Sequence, residues 1–180
     1  MSKGNLYKTK TYLIGSMQYA CGRDWRENIY NALRPLGIKV LDPYKKPFLN
    51  PVEEDEQTQK LLEQKLLDGK IHEVRNHMKK VRALDLSMVD KSDFIICYLR
   101  PDVPTFGTIE ELTVAVKARK PVFTVVEGGI TKTPLWITAM LPEKQLFNNF
   151  ENLIEHIKNI DSGKTEADPK YWRLLDFPMR

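Results

Sequence analysis

The feature that most constrains the fold is the alternation of short apolar, β-branched segments with longer segments whose apolar residues recur at helical spacing. The strand-like segments are 11–14, 38–41, 94–99 and 121–126, and the helical ones are 24–36, 56–67, 72–89, 108–119 and 149–160, with a short helical turn at 136–141. Strands that alternate with helices pair in parallel and carry helices on both faces of the sheet. We therefore predict an α/β protein with a doubly wound, Rossmann-like or flavodoxin-like sheet of five parallel strands, of which the pattern locates four.

Sheets of this kind bind ligands beyond the carboxyl ends of their strands, which here are followed by the loops 15–23, 42–48, 100–108 and 127–133. The first loop runs from Gly15 to Arg23 into a helix, so its backbone N–H groups and Arg23 are candidates for binding an anion. It is not a Walker A loop, because the Gly-Lys-Ser/Thr ending is absent, and it does not match GxGxxG. Kinase-like and dinucleotide-binding chemistry are therefore disfavoured.

Composition limits the classes of partner. The 180 residues carry a net charge of +4 from scattered basic residues, which falls short of a nucleic-acid-binding signature. No apolar stretch approaches the roughly 20 residues of a membrane-spanning helix and no signal peptide is visible, so we expect a soluble, cytoplasmic protein without a membrane partner. The three histidines, His72, His77 and His156, show no metal-ligand spacing and are expected at the surface. Neither a metal nor a nucleic acid is expected to bind.

One acidic residue interrupts an apolar helical stripe. The apolar residues of the helix 72–89 recur on one face at Val74, Met78, Val81 and Met88. Asp85 lies four residues after Val81 and falls on the same face at 3.6 residues per turn. An inward carboxylate is costly unless it is paired or used in chemistry. Asp85 is therefore either an acid bonded to backbone or to a nearby arginine, or a functional group.

A second acidic residue has two interpretations. Thr108 and Glu111, three residues apart after Gly107, match a capping box, which would give both a structural role at a helix start. The same segment follows a buried strand at the edge where a site is expected, so Glu111 is also a candidate functional carboxylate. Its neighbour Glu110 is an alternative for any role given to Glu111.

Four motifs follow one another along the chain: Tyr12-Leu13-Ile14-Gly15-Ser16, the segment 85–93, Gly107-Thr108-Ile109-Glu110-Glu111-Leu112 and Lys120-Pro121-Val122. In order and spacing they resemble the nucleoside 2-deoxyribosyltransferase superfamily, most closely its branch of 2′-deoxynucleoside 5′-phosphate N-hydrolases. The resemblance covers about residues 11–160 and implies a catalytic domain at 1–160. The remaining tail, 161–180, carries aromatic residues that we expect to dock on the core or on a neighbouring subunit: Tyr171, Trp172 and Phe177.

The resemblance implies roles for three residues. Glu111 would be the nucleophile that attacks C1′ of the sugar, Asp85 would hold or protonate the departing base, and Tyr12 would hydrogen-bond and orient the nucleophile. This is the chemistry of a retaining glycosidase, in which one carboxylate forms a glycosyl-enzyme intermediate and an acid assists the leaving group.

The resemblance also implies a cradle for a 5′-phosphate, formed by Gly15, Ser16, Arg23, Thr105, Gly107 and Thr138. Thr105 stands six residues before Glu111, where transferases of the family carry an acid and the hydrolases a serine. A hydroxyl group there replaces a carboxylate that would repel phosphate. Thr138 belongs to a segment whose hydroxyl group, in the family, reaches the phosphate from a neighbouring subunit. We therefore expect a homo-oligomer, at its simplest a dimer.

Together these residues predict an N-glycosidase that hydrolyses the base–sugar bond of (deoxy)nucleoside 5′-monophosphates through a covalent glycosyl-Glu111 intermediate, without a metal or a cofactor. A deoxyribosyltransferase that hands the sugar to a second base is the first alternative. A lysine-decarboxylase-like phosphoribohydrolase shares a Gly-Thr-x-x-Glu segment, but Thr105-Phe106 stand where it carries Gly-Gly. A nucleotide-binding sensor without activity is the third alternative, although it would have little use for two carboxylates beside an anionic ligand.

Overall fold

The computed structural model describes residues 4–17, 21–45, 56–103, 105–168, 170 and 172. The strands are β1 (Lys10–Gly15), β2 (Lys39–Leu41), β3 (Phe94–Leu99), β4 (Val122–Val126) and β5 (Leu146–Phe147). The helices are α1 (Cys21–Leu33), α2 (Glu56–Leu67), α3 (Ile71–Lys91), α4 (Phe106–Lys117), α5 (Leu135–Met140) and α6 (Phe150–Asp161). Strands and helices alternate along most of the chain, apart from the consecutive helices α2 and α3.

All five strands pair in parallel in the order β2-β1-β3-β4-β5, which is a flavodoxin-like arrangement. The predicted α/β fold with a five-stranded parallel sheet is therefore confirmed. Tyr12, in the middle of β1, lies beside Leu41 on one side and Ile95 on the other. The order in which strands are added reverses between β1 and β3, and ligands bind at such a switch point in open α/β sheets.

Side chains that alternate along the strands form two apolar layers, one on each face of the sheet. One face packs against α1 and α6 through Leu13, Phe94, Ile96, Phe123 and Val125. The other packs against α3, α4 and α5 through Tyr12, Ile14, Ile95, Cys97 and Val126. Helices therefore cover both faces, as the doubly wound prediction requires.

The fifth strand is the one that the sequence pattern did not locate. It consists of Leu146 and Phe147 alone, so it is too short to show a period of two. These residues pair with Thr124 and Val125 of β4. Phe147 also contacts the ring of Phe123 edge-on. This strand is therefore identified by its pairing with β4 and not by a pattern in its own sequence.

Helix α4 begins two residues earlier than predicted. Its N-terminal boundary is Thr105, which is extended and whose side chain makes no capping hydrogen bond. Thr108 and Glu111 lie inside the helix on its buried face, with Leu112 and Ala115. The capping-box interpretation is therefore wrong, and the burial of Glu111, which is 8% exposed, needs another explanation.

Part of the C-terminal segment contacts the core. The ring of Trp172 lies 5.3 Å from that of Phe94 and 6.0 Å from that of Phe123, and Trp172 is buried. Tyr171 and Phe177 lie outside the described residues. The segment therefore adds an aromatic side chain to the layer formed by α1 and α6.

The histidines differ in environment. His72 is exposed, as predicted, and contacts Asn76. His156 is instead half-buried, with its ring 5.3 Å from those of Phe123 and Phe147, so the expected surface position is wrong. Its place on the inner face of α6 is the physical reason, and burial lowers the pKa of His156.

Candidate active site

A cavity of about 670 Å³ opens where the loops after β1 and β3 meet. Its described walls come from β1 and the residues that follow it, from the first two turns of α4, and from α2 and α3. This is the switch point of the sheet, and the volume is in the range of ligand-binding clefts, roughly 300–1,000 Å³. The cavity is therefore the candidate site of the described chain.

A buried hydrogen bond joins two walls of this cavity. Tyr12 Oη donates to Glu111 Oε1 at 2.8 Å, and the two residues are 1% and 8% exposed. Burial raises the pKa of Tyr12 well above its ordinary value of 10.0, and the charges of Glu111 and Asp85 raise it further. The phenol therefore stays protonated and acts as the donor, which fixes the orientation of the Glu111 carboxylate.

Strand and helix periodicity bring these two groups together. Tyr12 points to the face of the sheet opposite Leu13, because successive strand residues alternate. Glu111 lies three residues after Thr108 and one before Leu112, so it belongs to the buried stripe of α4. The resemblance paired Tyr12 with Glu111, and the structure places them in contact.

Asp85 lines the same cavity from α3 and is half-buried. This agrees with the inward position predicted from helical spacing, and its charge acts on Tyr12. Met78, placed on the same stripe, is 45% exposed although it also lines the cavity. This turn of the stripe therefore faces the cavity rather than the core.

Glu110 and Glu111 are neighbours with different environments. Glu110 lies at the cavity rim, with a side chain 39% exposed, and Arg82 Nε donates to both of its carboxylate oxygens at 2.8 and 2.9 Å. Hydrogen bonding to Arg82 lowers the pKa of Glu110. The pairing leaves Glu110 engaged in an ion pair at the surface, whereas Glu111 is held inside the cavity.

Four members of the expected phosphate cradle line the cavity: Gly15, Ser16, Thr105 and Gly107. Ser16 is 7% exposed, and within the described chain its Oγ has no hydrogen-bond partner. Gly15 has φ of +156°, and a Cβ there would lie 3.1 Å from Tyr98 O. Only glycine therefore fits at the start of this loop without strain.

Two further members lie elsewhere. Arg23 is exposed, with its Cζ 5.0 Å from the ring centroid of Tyr44, and it is not among the described residues that line the cavity. Thr138 is exposed on α5, where its Oγ1 donates to Leu135 O at 2.7 Å, and it too lies outside the described lining. Their contacts with a phosphate stay predictions.

Arg26 is a cavity residue that the sequence reasoning missed. It is 2% exposed, and its guanidinium donates to Gly15 O at 2.9 Å and to Ser16 O at 3.3 Å. Its signal in the sequence is its spacing, three residues before Ile29 and seven before Leu33, which are buried residues of α1. The same spacing argument that singled out Asp85 would have found it.

The described lining carries a slight excess of positive charge, because four basic residues face three acidic ones. They are Arg26, Arg75, Lys79 and Arg82 against Asp85, Glu110 and Glu111. Such a cavity favours an anionic ligand. Within the described ranges, no group of three or more His, Cys, Asp or Glu side chains is placed to hold a metal ion. None of the helices there has the length and apolarity needed to cross a membrane.

Comparison with solved structures shows the fold. The chain is similar to the 2-deoxyribosyltransferase of Bacillus psychrosaccharolyticus, with 19% identity over 81% of this chain and 90% of that chain, and a TM-score of 0.56. A conserved protein from Enterococcus faecalis V583 gives 17% identity, 84% and 98% coverage, and a TM-score of 0.53. CMP N-glycosidase BcmB of Clostridium botulinum shows 15% identity over 83% of this chain and 98% of that chain. Its TM-score of 0.46 is too low to support an argument. No family model and no curated protein sequence matches the chain significantly. The shared feature is therefore the fold of a deoxyribosyltransferase.

Proposed function

We propose that this protein is an N-glycosidase that hydrolyses (deoxy)nucleoside 5′-monophosphates to the free base and the sugar 5-phosphate. The observation that carries the proposal is the buried hydrogen bond from Tyr12 to Glu111 in the cavity at the strand ends. A carboxylate oriented by a neutral phenol, with the carboxyl group of Asp85 in the same cavity, has the parts that a retaining glycosidase needs.

The reaction would proceed in two displacements at C1′. First, a carboxylate oxygen of Glu111 attacks C1′ as the C1′–N bond breaks, and the departing base takes a proton from Asp85. Second, water attacks C1′ and breaks the ester to Glu111, while Asp85, now a carboxylate, takes a proton from the water. Tyr12 holds the Glu111 carboxylate in one orientation by its hydrogen bond, so that the attacking oxygen is positioned before substrate binds.

A 5′-phosphate is the proposed anionic group of the substrate. Ser16 and Thr105 bring hydroxyl donors to the cavity, and a threonine rather than an acid stands six residues before Glu111. The excess of basic side chains among the described lining residues favours the same charge.

A panel of nucleoside and deoxynucleoside monophosphates, followed by chromatography of the released base, tests the proposal. We expect base release from at least one monophosphate and loss of turnover with retained nucleotide binding in Glu111→Gln. Glu110→Gln is the matched neighbour and should keep turnover, because Glu110 is paired with Arg82 at the rim. Turnover that survives in Glu111→Gln and disappears in Glu110→Gln would move the nucleophile by one residue.

The same panel distinguishes the alternatives. Adding a second free base yields an exchanged nucleotide only if the glycosyl-Glu111 intermediate is transferred to a base, which is the outcome for a deoxyribosyltransferase. Binding of a monophosphate without release of base from any member of the panel is the outcome for a sensor. Mass spectrometry of the denatured protein after rapid mixing should find the sugar phosphate attached to the peptide that contains Glu111.

We further propose that the protein is a homo-oligomer, at its simplest a dimer, in which Thr138 completes the partner's phosphate site. Helix α5 leaves Leu135 and Trp136 88% and 80% exposed, and Phe106 at the cavity is 90% exposed. Large exposed apolar side chains are typical of contact surfaces. Light scattering after size-exclusion chromatography should give at least twice the monomer mass. An active monomer would contradict the proposal, as would full activity in Thr138→Val.

A further inference from the structure

Two side chains hold the end of β1 and the two residues that follow it. Arg26 donates from Nη2 to Gly15 O at 2.9 Å and from Nη1 to Ser16 O at 3.3 Å. Tyr44, which follows β2, donates from Oη to Met17 O at 2.7 Å. Three successive carbonyl oxygens in the cavity wall are thus engaged by donors from two other parts of the chain.

The position of Arg26 is unusual for a charged side chain. It is 2% exposed, and its Cζ lies 4.4 Å from the ring centroid of Trp25 and 5.4 Å from that of Tyr44. Burial lowers the pKa of Arg26 from its ordinary value, while Tyr44 and Asp42 raise it, and an arginine keeps its charge at neutral pH. Burying a cation is costly unless it is hydrogen-bonded, and here the guanidinium donates to two carbonyl oxygens in the wall of the cavity.

The residues that Arg26 holds carry backbone N–H groups and one hydroxyl group, which are the kinds of donor that bind an anion. Phosphate is repelled by free carbonyl oxygens and attracted by N–H and O–H groups. Because C=O and N–H point in opposite directions in a trans peptide, fixing the carbonyls of Gly15 and Ser16 also fixes the N–H groups of Ser16 and Met17. Ser16 is more than nine-tenths buried, lines the cavity, and has an Oγ with no partner in the described chain.

We propose that Arg26 and Tyr44 are positioning residues of the 5′-phosphate subsite, which they form by holding residues 15–17 as a surface of donors. Arg26 also supplies the positive charge that the resemblance assigns to Arg23, which is exposed and outside the described lining. This inference rests on the proposed function, because the ligand is the 5′-phosphate of the nucleotide substrate.

Two measurements test the subsite in Arg26→Gln, Arg26→Lys and Tyr44→Phe. The first is the ratio of kcat/KM for a monophosphate to that for the matching nucleoside, and the second is calorimetric binding of 2-deoxyribose 5-phosphate. We expect Arg26→Gln to lower both the ratio and the affinity on the order of 10- to 100-fold, and Tyr44→Phe roughly 3- to 10-fold. Arg26→Lys keeps the positive charge but lacks the planar guanidinium, so its ratio and its affinity should lie closer to those of Arg26→Gln than to those of the wild type. Arg34→Gln removes the same charge from an exposed residue and should change neither quantity.

Equal loss of activity on nucleoside and nucleotide in Arg26→Gln would show a merely structural role and overturn the proposal. A wild-type ratio and affinity in Arg26→Lys would also overturn the proposal. A loss of the preference for the monophosphate in Arg23→Gln, without the same loss in Arg26→Gln, would overturn it as well. Where Arg26→Gln does not fold, an unchanged ratio and affinity in Tyr44→Phe overturns it instead. If the wild type releases no base from any nucleotide, the proposed function fails. The binding of 2-deoxyribose 5-phosphate to the wild type and to Tyr44→Phe still decides whether the subsite exists.

Discussion

Tyr12→Phe is the substitution whose effect follows most directly from the structure. It removes one hydroxyl group and keeps the ring that packs under α4, so the carboxylate of Glu111 loses a buried donor at 2.8 Å. Hydrogen bonds to charged groups contribute about 1.5–3 kcal/mol to stability. Because both residues are almost fully buried, we expect the free energy of unfolding to fall by about 2 kcal/mol.

A double-mutant cycle with Glu111→Gln tests the origin of this loss. In the Gln background the acceptor is neutral, so Tyr12→Phe should cost only about 1 kcal/mol. Urea unfolding of the four proteins, followed by tryptophan fluorescence and circular dichroism, gives the coupling as the difference between the two costs. The same cost in both backgrounds would refute the reasoning, because the loss would then come from packing rather than from the charge on Glu111.

The kinetic counterpart uses the same variant. With the Glu111 carboxylate no longer held, we expect kcat/KM to fall roughly 10- to 100-fold, which corresponds to the energy of one charge-assisted hydrogen bond. Base release from the most active monophosphate of the panel measures it. Undiminished turnover in a correctly folded Tyr12→Phe would show that Tyr12 does not position the nucleophile.

Three further outcomes follow from the fold. Trp172→Ala should lower the free energy of unfolding by about 3 kcal/mol in urea, because a buried aromatic side chain is lost from the core, and a change below ~1 kcal/mol would show that its packing is weak. Gly15→Ala should lower the free energy of unfolding by at least about 1 kcal/mol, because its Cβ would meet Tyr98 O. Gly107→Ala lies inside α4 and faces open space, so it should raise the free energy of unfolding by up to ~1 kcal/mol. The opposite order of the two stabilities would contradict the geometry. Burial lowers the pKa of His156, so its stabilising effect is complete above the unfolded pKa of about 6.5 and is lost as the pH falls through it toward the folded value. Between pH 7 and pH 5 thermal unfolding should therefore shift less in His156→Leu than in the wild type, and an equal shift would assign the effect to other groups.

The sequence predicts elements best where one period dominates. Strand β3 and helix α2 have the predicted bounds, because one is a continuous apolar run between polar residues and the other is bounded by a loop and by Asp68-Gly69. Strand β5 has two residues and no period, so only its pairing with β4 reveals it. The start of α4 was misplaced because Gly107 suggests a boundary, although the helix takes it into its first turn.

Within the site, the sequence could predict which residues lie on the inward face of a helix. It could not predict which residues from distant segments contact one another. Spacing alone placed Asp85 on an inward face, and the same test applied to α1 yields Arg26. The choice between Glu110 and Glu111 was open in the sequence, because it depends on which side of α4 meets the sheet. That Tyr12 touches Glu111 is a property of the tertiary structure that only the resemblance suggested. The role proposed for Thr138 requires a second chain, so no pattern within one chain could test it.

The hydrogen bond between Tyr12 and Glu111 joins residues that are 99 positions apart in the chain. Neither β1 nor α4 can form this contact alone, because it requires both the pairing of β1 with β3 and the packing of α4 on their common face. Long-range parallel pairing is slow compared with the formation of helices. During refolding the circular-dichroism signal of the helices should therefore recover before the site forms. The recovery of catalytic activity would then report the rate of the last non-local step of folding.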